Sequence, residues 1–286
     1  MVQALRAELF KTTHRRMTYI LLAAAGTLVA VFYSLLWLRI QQGPGGRRRG
    51  FEHWLEARNG MAFIHVVPYG LELERFFVTL ICVVFAATMM GNEFDWHTAG
   101  HAISRGVRRD HFIICKTVVA VLFTVVAVAV GLLVAIGLSA YWSNLYGLPF
   151  GVMDAARLWS AIAGIGRTAF VILPFVAMAL LFATIWRSAG MAVGFSLGCF
   201  FLESIFTGLL TNATGWLSHV PGWLFNANIA AVMHLNGVVP GDSPIGSFVA
   251  SSSGTSAGRG AAVLAAWMAV FAAIAFWRFI GRDIPD

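Results

Sequence analysis

The sequence predicts an all-α, polytopic membrane protein, and two observations carry that prediction. Of its 286 residues, 59% are hydrophobic and only 12% are charged, which is about half the charged fraction that is usual in a soluble domain. The apolar residues also fall into runs of about 20 or more, the length that crosses a hydrocarbon core of roughly 30 Å as a helix. Helices are expected because lipid cannot hydrogen-bond exposed backbone groups.

The apolar runs predict six spans in a single domain that covers residues 1–286. Their expected bounds are about 17–40, 75–91, 112–141, 157–186, 189–211 and 259–280. Residues 1–16 mix apolar and cationic side chains, which predicts an amphipathic helix at the membrane surface. Two external segments, 41–74 and 212–258, are long. The second contains an apolar stretch too short to span twice, which predicts an interfacial or re-entrant helix before the sixth span.

Lysine and arginine residues indicate the orientation of the spans. They are biased toward the side that holds the N-terminus, so we expect both termini in the cytoplasm, although the run Arg47 to Arg49 lies on the other side. The net charge is +7, and the cationic residues lie beside the apolar runs without forming a single basic stripe. We therefore expect membrane lipids and no nucleic acid as partners. The expected location is the plasma membrane of a bacterium.

The segment between the second and third spans, residues 92–111, is dense in charged side chains. It is long enough for a short helix that lies across the membrane surface and presents side chains to a partner. His97 and His101 are four residues apart, a spacing that can bind zinc, but no glutamate occupies the position of an HExxH base. We favour a solvated helix face and expect no metal in this chain.

The same segment resembles the corresponding loop of the ABC-2 type ABC transporter permeases. The family's order is an acidic residue, a turn of helix, an Arg-Gly step, a further arginine and a lysine that enters the third span. The matching residues here are Asn92-Glu93, Thr98, Ser104-Arg105-Gly106, Arg109 and Lys116. The N-terminal ALRAELFKTTHRR is similar to the family's elbow helix, and the C-terminal FWRFIGRDIPD is similar to its last span. The resemblance covers most of the chain in order.

The resemblance implies the membrane-spanning subunit of an ATP-driven exporter. Its cargo would be hydrophobic or amphipathic, such as a lipid, a peptide or a drug-like molecule. Two permease copies or homologues would pair, and each would dock on a cytosolic ATPase that binds ATP and magnesium, so no cofactor is expected in this chain. The residues that would couple to the ATPase are Glu93, Asp95, Thr98, Arg105, Gly106, Arg109 and Lys116.

The sequence also argues against an enzyme in this chain. A phosphate-binding loop needs a glycine directly before its lysine, and neither of the two lysines, Lys11 and Lys116, follows a glycine. No nucleophile with a partnering histidine and acid is apparent. Any ATP hydrolysis is therefore expected in a separate subunit.

Two charged residues lie deep inside the predicted spans, away from the span ends: Arg167 in the fourth and Glu203 in the fifth. Charges at such depth cost a few kcal/mol on insertion scales and usually face a partner or a cavity. Counted from the outer ends of two antiparallel spans, both lie roughly 12–15 Å deep at ~1.5 Å per residue. We therefore expect an intramembrane ion pair, with a place in a cargo path as the alternative.

Three glycines of the fifth span, Gly190, Gly194 and Gly198, lie four residues apart and share one helix face. Small residues at this spacing permit close contact between helices. We expect them to pack within the chain, with a dimer interface as the alternative.

Two other functions stay open. An ion-driven secondary transporter would need more titratable groups near the bilayer midplane and often shows two related halves. Only Arg167 and Glu203 meet that requirement in the predicted spans, and no repeat is apparent. A membrane scaffold or sensor would instead use the charged segment to dock a signalling protein without moving cargo.

Overall fold

The computed structural model describes most of the chain. The described residues are 2–43, 54, 58, 62–96, 98, 100, 104, 108–147, 154–210, 215–237 and 255–281. Every regular element in these ranges is helical, which confirms the all-α class.

Six helices are long and apolar enough to cross a membrane, so the chain is a multi-pass helical membrane protein by length and composition. They are α2 (Arg16–Gln41), α3 (Val66–Asp95), α4 (Arg109–Tyr146), α5 (Ala155–Trp186), α6 (Ala189–Leu210) and α8 (Ala257–Gly281). A shorter helix, α1 (Val2–His14), precedes them, and a nine-residue helix, α7 (Phe225–Met233), comes before α8. The number and order of the long helices agree with the six predicted spans.

Burial separates these helices into a centre and a periphery. In the most apolar 18-residue stretch of each helix, 72% of the residues are buried in α3 and in α5, but only 17% in α6 and 22% in α8. α3 packs against α2, α4, α5 and α6. The core of the bundle therefore lies around α3 and α5, and α6 contributes most of its surface to the outside.

The structure corrects the start of the second span. α3 begins at Val66, whereas the apolar run predicted a start near residue 75 and placed residues 41–74 outside. Glu72, Glu74 and Arg75 interrupt the run in the sequence, yet all three are buried in the bundle. Arg75 Nη2 donates to Glu72 Oε1 at 3.1 Å, one turn away. Charges that face other helices do not end a helix, although they end a stretch of high hydropathy.

A helix also lies where the sequence predicted one between the fifth and sixth spans. All nine residues of α7 are buried, and they pack against α5, α6 and α8. Gly260 of α8 lies so close that a Cβ at this position would stand 2.8 Å from the Asn228 carbonyl oxygen. The buried position explains why this stretch is too apolar for a solvated loop.

The two ends of the bundle differ in what they bring together. We call one the α1 end: it holds α1, the starts of α2, α4 and α6, and the ends of α3, α5 and α8. The opposite end, which we call the far end, holds α7 and the start of α3.

Candidate functional site

The last turn of α3 carries a buried carboxylate surrounded by cations. Glu93 is only 1% exposed. Its Oε1 accepts hydrogen bonds from Lys116 Nζ of α4 at 3.0 Å and from Lys11 Nζ of α1, and its Oε2 accepts one from Thr98 Oγ1 at 2.6 Å. The Arg15 guanidinium lies 3.7 Å from the same Oε1. These partners offset the cost of burying a carboxylate, and they join α1, α3 and α4.

Lys116 is buried as deeply as Glu93, at 1% exposure. Its Nζ contacts Glu8 Oε2 of α1 at 2.9 Å as well as Glu93 Oε1. Lys11, Arg15 and Lys116 therefore face the two carboxylates Glu8 and Glu93, and we call these five residues the charge cluster. A cavity of only about 10 Å³ adjoins it, room for no more than a single water. The charge cluster is thus built to hold helices together.

A second group of contacts fixes the start of α6 to the end of α3. Asp95 Oδ2 accepts a hydrogen bond from the Ala189 backbone N–H at 3.0 Å, at the first residue of α6. A carboxylate at this position satisfies an amide that lacks a partner within the helix and complements the helix dipole. Gly91 lies against the same residue, because a Cβ there would stand 2.4 Å from the Ala189 Cα. The two helices meet through backbone atoms, which only glycine allows.

Arg109 joins the start of α4 to the end of α8. Its Nη1 donates a hydrogen bond to the Ile280 carbonyl oxygen at 3.0 Å. One turn further along, the rings of Phe112 and Phe279 stack with their centroids 5.5 Å apart and an angle of 4° between the rings. The end of α3 and the start of α4 thus contact each other, and together they contact α1, α6 and α8.

The structure divides the residues that were predicted to couple to an ATPase. Glu93 and Lys116 do not present their side chains outward, because ion pairs inside the bundle take them up; that part of the expectation is corrected. Asp95, Thr98 and Arg109 each contact a neighbouring element.

The other predicted positions of this segment cannot be placed in the same way. Arg105 and Gly106 lie outside the described residues, and so do His97 and His101. Among the described residues no group of three or more metal-ligating side chains occurs.

Two side chains at the ends of the helices that carry Glu93 and Lys116 are at the surface instead. Trp96, directly after α3, is 60% exposed, and the Arg108 side chain, directly before α4, is 74% exposed. The Arg15 guanidinium lies 5.6 Å from the centroid of the Trp96 ring. The sequence reasoning did not single out Trp96, because a tryptophan at the end of a span is typical of ordinary membrane-interface anchors. Its position within the charged segment 92–111 is the signal that could have identified it.

The predicted ion pair between Arg167 and Glu203 is wrong. Arg167 Nε donates to Asn236 Oδ1 at 2.6 Å. Glu203 Oε1 accepts from the Asn226 backbone N–H at 2.8 Å and from Thr207 Oγ1 at 3.2 Å. Both charges take their partners from the residues at either end of α7, or from their own helix, and not from each other. The sequence reasoning assumed that only α5 and α6 meet at this depth.

Glu74 is a buried charge that the sequence reasoning missed. It is 0% exposed, and both of its carboxylate oxygens lack a hydrogen-bond partner in the described part of the chain. The carboxylate lies against α4, because a Cβ at Gly131 would stand 2.1 Å from Glu74 Oε2. A carboxyl group without partners is costly inside a protein, so its presence points to a role other than packing.

The glycine face of α6 does not pack within the chain. A Cβ at Gly190, Gly194 or Gly198 would meet no atom within 4 Å, so the expectation of close intramolecular packing is wrong. The face is open because α6 lies at the edge of the bundle, and the alternative of a contact with a second copy stays a prediction.

Comparison with known proteins gives a family but no described activity. No curated protein matches the chain. A family model described as "Protein of unknown function (DUF2705)" matches residues 57–285, which is well over half of the chain. The chain therefore belongs to the DUF2705 family.

Proposed function

We propose that this chain is the membrane-spanning permease subunit of an ATP-driven exporter of the ABC-2 type, which moves a hydrophobic or amphipathic cargo. The observation that carries the proposal is the set of contacts at the end of α3. Glu93, Asp95 and Arg109 lie near the two ends of the charged segment 92–111. Glu93 contacts α1 and α4, Asp95 contacts α6, and Arg109 contacts α8. A force applied to the segment between them would reach most of the bundle.

In this proposal the α1 end is cytoplasmic. An ATPase would dock on the segment 92–111 and close on ATP, and the contacts of α3 and α4 would carry that movement to α6 and α8. α1 would act as the elbow helix on the membrane surface, held by the charge cluster. The buried helix α7 would be the re-entrant element that closes the outer side. ATP and magnesium would be bound by the ATPase, and this chain would catalyse no reaction.

Co-purification of an ATPase tests the proposal. We would purify the chain in mild detergent and identify bound proteins that carry a phosphate-binding loop. The test variant is Trp96→Ala/Arg105→Glu, because Trp96 is exposed and Arg105 belongs to the motif that resembles the coupling loop. The control is Trp159→Ala, since Trp159 is 72% exposed and lies at the opposite end of α5 from the α1 end.

We expect the wild type and the control to retain a P-loop ATPase, and the double variant to bind it about tenfold more weakly or worse, as for loss of a binding hot spot. If the folded wild type retains no such ATPase, the exporter proposal fails.

The glycine face of α6 is proposed as the contact with a second permease copy. Introducing leucine at Gly194 should weaken dimerisation without unfolding the chain, because no atom of the same chain lies within 4 Å of the added Cβ. The control is Gly137→Leu, an equally open glycine of α4. Dimer content would be measured by analytical ultracentrifugation in detergent. A Gly194→Leu variant that dimerises like the control would assign the dimer contact to another surface.

Buried charges favour one second candidate, an ion-driven transporter. Glu74 lies eight residues into α3, about 12 Å along the helix, and Glu72, Arg75 and Glu203 are further charges within the long helices. Such groups in membrane helices often mark ion or proton pathways. Vesicles that contain this chain alone discriminate the candidates. A proton-driven transporter would dissipate an imposed pH gradient when cargo is supplied and would lose this ability in Glu74→Gln, whereas an ABC permease would not dissipate it.

A further inference from the structure

The buried carboxyl group of Glu74 lies between α3 and α4 in a closely fitted place. Glu74 is 0% exposed, and neither of its carboxylate oxygens has a hydrogen-bond partner among the described residues. Gly131 of α4 makes room for it, because a Cβ at that position would overlap Oε2 and stand 3.1 Å from Cδ of Glu74. A side chain at position 131 would therefore displace the carboxyl group.

The helices α2 and α4 offer this carboxyl group no positive charge. α4 has no ionisable side chain between residues 117 and 140. In residues 20–38 of α2 the one ionisable side chain is Tyr33, which is 2% exposed. Its hydroxyl would lie 3.4 Å from a Cβ at Gly70, one turn before Glu74. Because a tyrosine hydroxyl is neutral at physiological pH, it does not balance the charge of a carboxylate.

The charges of α3, α5 and α6 have partners of their own. Arg75, the residue after Glu74, donates to Glu72 at 3.1 Å. Arg167 of α5 and Glu203 of α6 bond to the residues at either end of α7. An ionised carboxylate in such surroundings would bear the full cost of leaving water, whereas a neutral carboxylic acid bears much less of it.

We propose that Glu74 is a proton-binding site, which holds a proton while α3 and α4 are packed together and releases it when they separate. A glutamate in water is ionised at neutral pH, so exposure of Glu74 to water frees the proton. Each separation of these helices therefore releases one proton, and a rise in pH favours the separated state.

A proton fits this site better than a metal ion does. Mg²⁺ and Ca²⁺ take six or more oxygen ligands, and the described residues contain no group of three or more metal-ligating side chains. The close approach of Gly131 also leaves no space for an ion on that side of the carboxyl group. The site needs neither an ATPase nor passage of the proton across the membrane, so it stands or falls separately from both functions proposed above.

Infrared spectroscopy of the full-length protein in lipid vesicles at neutral pH tests for the bound proton. The variant is Glu74→Gln, because an amide has nearly the shape of a protonated carboxyl group. The control is Glu72→Gln in the same helix, where Arg75 lies 3.1 Å from the carboxylate. The wild-type spectrum minus that of Glu74→Gln should show the C=O stretch of a carboxylic acid. The wild-type spectrum minus that of the control should show carboxylate bands instead.

The pH dependence of unfolding in mixed micelles gives a second readout. The folded wild type holds a proton that Glu74 loses on unfolding, so its stability falls as the pH rises. Relative to Glu74→Gln, the unfolding constant of the wild type should increase about tenfold per pH unit between about pH 5 and 7. Glu72→Gln keeps Glu74 and should follow the wild type.

Two results would overturn the proposal. One is a Glu74 difference spectrum that contains only carboxylate bands, and the other is a ratio of unfolding constants that does not change with pH. Carboxylate bands from Glu74, together with a wild type that only added Na⁺ or Mg²⁺ stabilises, would assign the site to a metal ion. If Glu74→Gln does not fold, Glu74→Met takes its place, since it also removes the ionisable group and suits an apolar position.

Discussion

Replacing Glu93 with alanine is expected to lower the free energy of unfolding by about 3–5 kcal/mol, because it removes one partner from a buried set of ion pairs. Lys116, which is 1% exposed, would keep its ion pair with Glu8 at 2.9 Å. It would lose its ion pair with the Glu93 carboxylate at 3.0 Å. Lys11 loses its partner in α3 as well. The loss would be measured by equilibrium unfolding in mixed micelles, followed by tryptophan fluorescence.

An exposed ion pair in the same region provides the control. Asp110 pairs with Arg108 at 3.1 Å, and the Arg108 side chain is 74% exposed, so Asp110→Ala should cost far less stability than Glu93→Ala. The variant Glu93→Ala/Lys116→Met should lose less stability than the sum of its single variants, since it removes both charges of one contact. If the Glu93→Ala variant has the same free energy of unfolding as the wild type, the charge cluster does not hold α1 to α3 and α4.

The sequence predicts the class and the number of long helices well, because both depend on composition and on the length of apolar runs. It places the bounds of α5, α6 and α8 within about two residues of those observed. The predicted start of the second span, near residue 75, lies further from the observed start of α3 at Val66. Glu72, Glu74 and Arg75 lower the local hydropathy, but burial among other helices is a tertiary property that a window along one chain does not contain.

The candidate site shows the same limit. The charge of this region and its resemblance to the coupling loop of the ABC-2 permeases drew attention to Glu93, Asp95, Arg109 and Lys116, and all four take part in contacts between helices. Whether a charged residue faces outward or inward depends on partners far away in the sequence. Glu93 meets Lys11, 82 residues distant, and no local pattern indicates that pair. Arg167 was paired with the wrong residue because the position of α7 between the long helices was unknown.

Gly91→Ala is expected to lower the free energy of unfolding by about 1–3 kcal/mol, the usual cost of forcing an extra carbon into a packed contact. The added Cβ would stand 2.4 Å from the Ala189 Cα and 2.6 Å from its N. Since both are backbone atoms, α3 and α6 must move apart. The sign is informative, because the same substitution in an open helix interior should gain roughly 0.5–1 kcal/mol. Gly137→Ala in α4, with no atom within 4 Å, is that control. The same unfolding measurement applies to both.

A companion change separates a backbone contact from a side-chain contact. Ala189→Gly removes the Ala189 Cβ, which would lie 2.9 Å from the new carbon, but leaves the Cα and N in place. We therefore expect Gly91→Ala/Ala189→Gly to remain less stable than wild type by about the same amount. A full rescue would mean that only the Cβ atoms collide and that the helices can approach in another way. If the double variant stays less stable than the wild type, the start of α6 is fixed to the end of α3 through backbone atoms, next to the Asp95 hydrogen bond. Movement of the charged segment would then reach α6, the helix that carries the open glycine face, without any intervening side chain.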